Sequence, residues 1–500
     1  MQFRFIILNI ISLVSLMNVF LIKPNSQSAR STQTVPRIST NHSERLLKAN
    51  QELRNYVNEV MGLPAEFKAD ILLKLIENKK IISKVWGKEL LEESFIIAKD
   101  AQNSYKRISV LNNEADSRSE YSSYAFDLKL DRVSLQLRAV KEMLQLNHKA
   151  RAREMFSEIK ISELTPVTCD EPTIYDLSEF YNTLNLLYQT AFSADERRKE
   201  EHLYFLISNI KNISSPAQIT AIIQSIISLK LSETQLQMSL NTLSERLKEV
   251  PDDDRSFSKS FGANINSIYA IVNICKENHI SPINLLNDYR LYLIKHLVAS
   301  RCYRNKVIIE NEKKQVAVFN VLLLKYSLLK ITDEQLILSK VQGKAKDYIY
   351  FRGQTKAQQI MREVSRLHWL PGTNTAIVDT DKSKPQWGAQ LNRIYNLIQE
   401  WQEKDEVSEL DYFHQKAGIY RTLLQFVPDK SNREKIMKDY LIFLVNSPIQ
   451  KEKRIDWFFQ LNNMIKLLRH DSPPDRQQAE SIFAEISHPV LMLYAKLEKI

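Results

Sequence analysis

A chain of 500 residues, 44% hydrophobic and 26% charged, has the composition of a folded globular protein and is too apolar for wholesale disorder. It holds only 8 glycines, where average usage would give about 35. Tight hairpins and phosphate-cradling loops draw on glycine, so this scarcity points away from β-rich and nucleotide-binding folds. The net charge of +10 favours anionic surfaces in general and selects none of them.

The chain opens on Met1-Gln2-Phe3-Arg4, a short basic start. An uncharged apolar stretch follows from Phe5 to Ile22, softened by Asn9, Ser12, Ser15 and Asn18, and small residues come after it at Ser26 and Ser28. This pattern predicts a signal peptide over residues 1–28 and a secreted or periplasmic protein. The same stretch is long enough to anchor the chain in a membrane if it stays uncleaved. Residues 29–42, rich in Ser and Thr with Pro36, read as a flexible leader.

From residue 43 onward helical signals repeat. Pro64, Pro216, Pro282 and Pro448 each stand at a helix start, where a missing N–H costs nothing. Ser232 with Gln235, Thr332 with Gln335 and Ser431 with Glu434 have capping-box spacing. Behind these starts run apolar stripes of helical period, among them Val133, Leu137, Val140 and Leu144, and Leu236, Leu240, Leu243 and Leu247.

In chain order the predicted helices are 43–61, 65–78, 84–105, 131–146, 148–159, 176–192 and 195–211. Next come 216–229, 232–249, 258–278, 282–300, 306–329, 333–350 and 355–369. The last are 387–403, 407–426, 432–446, 448–469, 474–486 and 488–498. Residues 106–130, 164–175 and 370–385 read as loops, the last two as binding loops or domain boundaries. The proline starts show no fixed period. The expected fold is all-α, an irregular array of about twenty antiparallel helices, either α-solenoid-like or two packed bundles. Its parts are a helical array over 43–369 and a C-terminal helical bundle over 386–500.

Cys169, Cys275 and Cys302 make no disulfide framework and no zinc spacing. Cys275 and Cys302 can pair only if their helices pack side by side. The chain lacks a nucleophile elbow, a P-loop and a dinucleotide fingerprint, so no cofactor and no metal site is expected. Asp252-Asp253-Asp254 reads as a solvated turn that caps the next helix.

Two surface candidates remain. Lys344, Lys346, Arg352 and Lys356 interleave with Tyr348 and Tyr350 in a basic, aromatic run suited to an anionic polymer. On an exported chain that is an envelope polymer; nucleic acid is not expected. Asp411 and His414 lie three apart, on one face of a helix starting at Ser408, with Asp411 at the third helical position. A carboxylate beside an imidazole can orient a base.

Glu66 to Ala98, with Ala-Asp-Ile-Leu-Leu-Lys-Leu-Ile and Glu-Leu-Leu-Glu-Glu-Ser-Phe-Ile-Ile-Ala, resembles blocks in uncharacterised exported all-helical proteins of environmental bacteria. Asp131 to Ile159 and Asp411-Tyr412-Phe413-His414-Gln415-Lys416 do so too. The resemblance implies export and an all-helical fold and carries no function. The expected role is that of a binding or scaffold protein that works through helix faces and inter-helix loops, its partner another protein or an envelope polymer. The alternative is an all-α envelope or polysaccharide hydrolase, which needs two carboxylates facing each other across a cleft.

Overall fold

The computed structural model describes residues 51–78, 83–103, 105–108, 123–161, 165–167, 173–251, 254–299, 306–336, 356–369, 384–403, 408–427, 430–470 and 488–497. The expected signal peptide and leader lie outside the described residues. So do Cys169 and Cys302, Asp252 and Asp253, and the predicted helix 474–486. By its internal contacts the chain forms two units, Met1–Asn55 and Tyr56–Ile500. In the first, residues 51–55 are described and helical. No helix among the described residues is long and apolar enough to cross a membrane.

In the second unit residues 56–60 are helical, and after them come α1 (Ala65–Glu77), which starts directly after Pro64, and α2 (Lys84–Ala98), capped by the Ser83 hydroxyl. After β1 (Lys106–Ile108) come α3 (Tyr124–Asp127), α4 (Arg132–Gln145) and α5 (Lys149–Glu158). Then follow β2 (Thr173–Tyr175), α6 (Ser178–Thr190), α7 (Ala194–Arg198) and α8 (Glu201–Lys211). The chain continues with α9 (Ala217–Ser228), α10 (Glu233–Glu249), α11 (Asp254–Glu277), α12 (Ile283–Ala299) and α13 (Lys306–Lys325). A 3-10 turn occupies Asp333–Leu336. The last helices are α14 (Lys356–Trp369), α15 (Lys384–Glu400), α16 (Glu409–Phe426) and α17 (Lys430–Asn446). They end with α18 (Ile449–Glu452), α19 (Arg454–His470) and α20 (Pro489–Leu497). These 20 α-helices, together with the helical residues 51–60, make the fold all-α.

Several expected boundaries shift for visible reasons. The predicted helix 195–211 breaks at Glu200, whose φ of 59° is left-handed. There Arg197 turns back to donate to the carbonyls of Tyr188 and Gln189, both at 2.6 Å, and so caps the end of α6. The predicted helix 448–469 breaks at Lys453, between α18 and α19. The helix predicted over 84–105 ends at Ala98. Ser431 lies inside α17 and caps nothing, because that helix already begins at Lys430. The predicted helix 333–350 is described only as far as its opening 3-10 turn.

Two stretches read as loops pair instead. β1 and β2 form an antiparallel ladder with Lys106 opposite Tyr175, Arg107 opposite Ile174 and Ile108 opposite Thr173. Strands of three residues show no sequence period, so this ladder escapes pattern reading. Lys106 lays its ammonium 4.9 Å from the centre of the Tyr175 ring, and Arg107 pairs with Asp176 at 2.5 Å.

From α6 onward the helices stack in two layers. α6, α9, α11 and α13 pack one on the next, and α8, α10, α12 and the 3-10 turn do the same. Polar side chains join successive members at a nearly constant separation. Asn185 donates to Ser228 across 43 residues, and Ser244 donates to Asp288 across 44. Thr220 donates to Asn264 across 44 residues, and Gln224 donates to Ser267 across 43. This is a solenoid-like period, carried by side-chain pairing rather than by a repeated motif.

The last helices do not extend this stack. α14 packs on α15 and α16, across the boundary expected at 370–385. α19 packs on α3, and α20 packs on α1. The end of the chain therefore returns to its beginning. Phe67 of α1 meets Phe458 of α19 with ring centres 4.7 Å apart, and Tyr56 donates to the Leu493 carbonyl at 2.7 Å.

Candidate functional site

Lys344, Lys346, Tyr348, Tyr350 and Arg352 lie outside the described residues. Lys356 opens α14, and its Nζ stands 3.5 Å from Glu400 in an ordinary surface pair.

Asp411 and His414 are both in α16, and the fold gives them separate partners. The Ser408 hydroxyl accepts from the Asp411 N–H at 3.1 Å and donates to the Asp411 carboxylate at 2.8 Å. Asp411 is thus a helix-start residue, as its position predicts. His414 turns to α19, where Nε2 is 3.1 Å from Asp456 Oδ1 and Nδ1 is 3.1 Å from the Gln460 amide nitrogen. With Gln460 donating to Nδ1, the proton of a neutral ring sits on Nε2 and points at Asp456. The ring is 9% exposed, and the Tyr124 ring packs against it at 5.4 Å. A carboxylate and an imidazole do meet, but the carboxylate comes from 42 residues further along.

Beside that pair is a cleft of about 400 Å³ between the end of α15, α16 and α17. Tyr412, Lys416 and Tyr420 line it from one helix, Asp439 and Phe443 from the other, and Glu403 and Glu409 from its rim. Burial raises the Asp439 carboxyl above its ordinary value, with Lys435 and Lys438 opposing. Burial also raises Glu409, helped by the charges of Glu403 and Glu452. The sequence places these residues near Asp411 without showing the cleft, because Asp439 and Phe443 come from a different helix.

A second concavity of about 470 Å³ runs along the stack, floored by α6, α9 and α11 and closed at one end by β2. Its lining is polar and almost uncharged, with Ser178, Asn182, Asn185, Thr220, Gln224 and Ser228 among its residues. Asp176 is the carboxylate of this lining, and Arg107 holds it. Burial presses the Asp176 carboxyl up, but bonds from Ser178 and the charge and bond of Arg107 outweigh that and keep it below the usual range. The inter-helix ladder fixes the floor: the Asn185 amide nitrogen donates to Ser228 at 2.8 Å, and that of Gln224 to Ser267 at 3.2 Å. The Asn185 carbonyl oxygen is buried there without a protein partner. No helix pattern marks this groove, since it exists only where three helices from different parts of the chain align.

Among the described residues no group of three His, Cys, Asp or Glu side chains is placed to hold a metal ion. Burial among apolar neighbours lifts the Cys275 thiol to about 11, so it is protonated and inert at neutral pH. Comparison of the chain with protein families, with curated proteins and with solved structures finds no match in any of the three.

Proposed function

We propose that the protein is an exported binding protein whose helical stack holds an extended polypeptide segment in the groove over α6, α9 and α11. The observation that carries this reading is the run of side-chain amides along an almost uncharged groove, Asn182 and Asn185 on α6 and Gln224 on α9. Side-chain amides suit a peptide main chain because each offers both a donor and an acceptor. A glycan would want an open aromatic face, but Tyr175 and Tyr181 are buried here, and Lys106 covers the Tyr175 ring. A near-neutral lining selects by main chain and shape rather than by charge. The sequence supports export, through the predicted signal peptide at 1–28. The hydrolase alternative finds no support in this groove, which offers one carboxylate already engaged by Arg107, and would rest instead on Glu403, Glu409 and Asp439 of the other cleft.

The test is selection of binders from a random peptide library by the full chain, followed by single N-methylation along the selected peptide. Main-chain recognition predicts at least a tenfold loss of affinity at alternate positions. Gln224→Leu together with Asn182→Leu should lose binding, with a fall in stability no larger than the about 1 kcal/mol of the Gln224–Ser267 bond. Peptides that keep their affinity when N-methylated, or that bind the double variant equally well, would overturn the reading.

A further inference from the structure

A lysine normally ends in water or against a carboxylate. Lys416 is half-buried and pairs with no carboxylate among the described residues, although its cleft is lined with acids. Its Nζ donates to Tyr412 Oη at 2.7 Å, and Tyr412 in turn donates to the Trp401 carbonyl at 3.2 Å. The ammonium lies 5.0 Å from the Tyr412 ring centre, 5.3 Å from that of Phe443 and 6.0 Å from that of Trp401. Glu403, Glu409 and Asp439 line the same cleft, yet among the described residues none forms an ion pair with it. Ring faces therefore take the place of a counter-charge, and burial pulls the amine down to about 8. The charged groups facing it are Glu409 from its own helix, Glu403 from the preceding segment and Asp439 from α17, with Lys435 and Lys438 beyond Asp439.

We propose that Lys416 is an amine nucleophile and that this cleft captures a small, flat, uncharged aldehyde as an imine on its Nζ. The cleft places this tethered amine among acids, with Glu409 and Asp439 each raised above its ordinary value by burial. The neutral amine adds to the carbonyl carbon. The N–C bond forms as the C=O π pair moves to oxygen, and a proton passes from nitrogen to that oxygen. A proton from solvent passes to the hydroxyl of the carbinolamine, which departs as water while the nitrogen lone pair closes the C=N bond. The remaining N–H proton returns to solvent, giving the neutral imine with no net change in protons. No oxidant or reductant enters this sequence. The Tyr412 hydroxyl fixes the amine, and the rings of Tyr412 and Phe443 offer a flat partner two apolar faces. The surrounding acids select against carbonyl compounds that carry an anionic group. This assignment does not depend on the peptide groove, which lies on other helices.

The full chain is treated with benzaldehyde and sodium cyanoborohydride at pH 7, and its lysines are mapped by peptide mass spectrometry. Lys416 should be modified about a hundredfold faster than the mean of the other lysines, whose ordinary value near 10.4 leaves far less neutral amine. Its rate should level off above pH 8 while theirs go on rising. The anionic analogue 4-carboxybenzaldehyde should react at least tenfold more slowly at Lys416. Lys416→Arg keeps the cation and the ring contacts but forms no imine, so the fast modification should disappear while the circular dichroism spectrum stays that of the parent. A Lys416 rate equal to that of ordinary lysines would overturn the nucleophile. Equal rates for the two aldehydes would overturn the substrate class.

Discussion

Where α1 meets α19 and α20 the polar contacts are charged, whereas between the stacked helices of residues 178–325 they are mostly neutral. At the first place Asp70, with a side chain 2% exposed, accepts from Lys74 at 2.7 Å, from Arg138 at 2.6 Å and from Tyr494 at 2.6 Å. Arg454 binds Glu66 at 2.8 Å, and Lys496 binds Glu59 at 2.5 Å. In the stack the links are Asn185 to Ser228, Gln224 to Ser267 and Thr220 to Asn264. The two kinds of fastening differ in strength, and only the charged kind responds to pH. Removing one partner of a buried charge leaves the other uncompensated, while removing one end of a neutral bond costs a single hydrogen bond. The chain thus closes its ends with contacts that acid can open and joins its stack mostly with neutral ones, the Asp288 link to Ser244 and Lys248 excepted.

The largest effect should come from Asp70→Ala, which takes the acceptor from the Tyr494 hydroxyl and leaves Arg138 with Glu77 alone. About 3–5 kcal/mol should be lost, read as a fall in the urea midpoint at pH 7. Burial presses the Asp70 carboxyl upward, but the charges of Lys74 and Arg138, with bonds from Lys74 and Tyr494, outweigh burial and hold it below its ordinary value. A carboxyl depressed in the folded state contributes stability above its unfolded value, and that stability is lost as pH falls through the folded one. Hydrogen exchange at pH 3 should therefore open α1 and α20 before α9 and α11. Simultaneous opening of all four would break the comparison.

Asp131 tests the region between these two fastenings, because its helix, α4, packs on both α1 and α6. Asp131 caps α4 by accepting from the Ser134 N–H at 2.9 Å, and its other oxygen is buried without a partner. Burial raises this carboxyl to about 7, against the bonds from Ser134. The sign is opposite to that of Asp70. The folded state binds the proton more tightly, so stability falls as pH rises between the unfolded value near 3.9 and about 7. Asp131→Asn keeps the cap and removes the charge. It should stabilise the chain by about 2 kcal/mol at pH 8 and leave it unchanged at pH 4. Equal melting temperatures of parent and variant at pH 8 would remove Asp131 from the account.

Helix starts and apolar stripes were legible because both are local. Ser232 with Gln235 forms the expected reciprocal box, and Leu236, Leu240, Leu243 and Leu247 all face inward. The period of the stack was not legible. It lies in single pairs such as Ser244 with Asp288, 44 residues apart, with no shared motif around them. The return of α20 to α1 depends on Tyr494 reaching Asp70 across 424 residues, a distance no spacing argument covers. The candidate sites divide in the same way. Asp411 declared its role because an N3 acid answers to a cap three residues away. His414 took its partner from α19, and Lys416 owes its unusual state to Phe443 on α17.

The smallest effect should come from the stack. Thr220 donates its hydroxyl to the fully buried Asn264, which also donates to Ser260 at 3.2 Å. Thr220→Val keeps the shape and deletes that donor, leaving one acceptor short of a bond. The loss should be about 1 kcal/mol, read as a shift in the urea midpoint. Neither partner titrates, so the same loss should appear at pH 5 and at pH 8. A neutral contact weakens the folded state by the same amount wherever the protons sit, whereas the Asp70 junction and the Asp131 cap must each change across their own pH range. A Thr220→Val effect that grew several-fold on acidification would show that the stack leans on the charged junction, and the division between the two fastenings would fail.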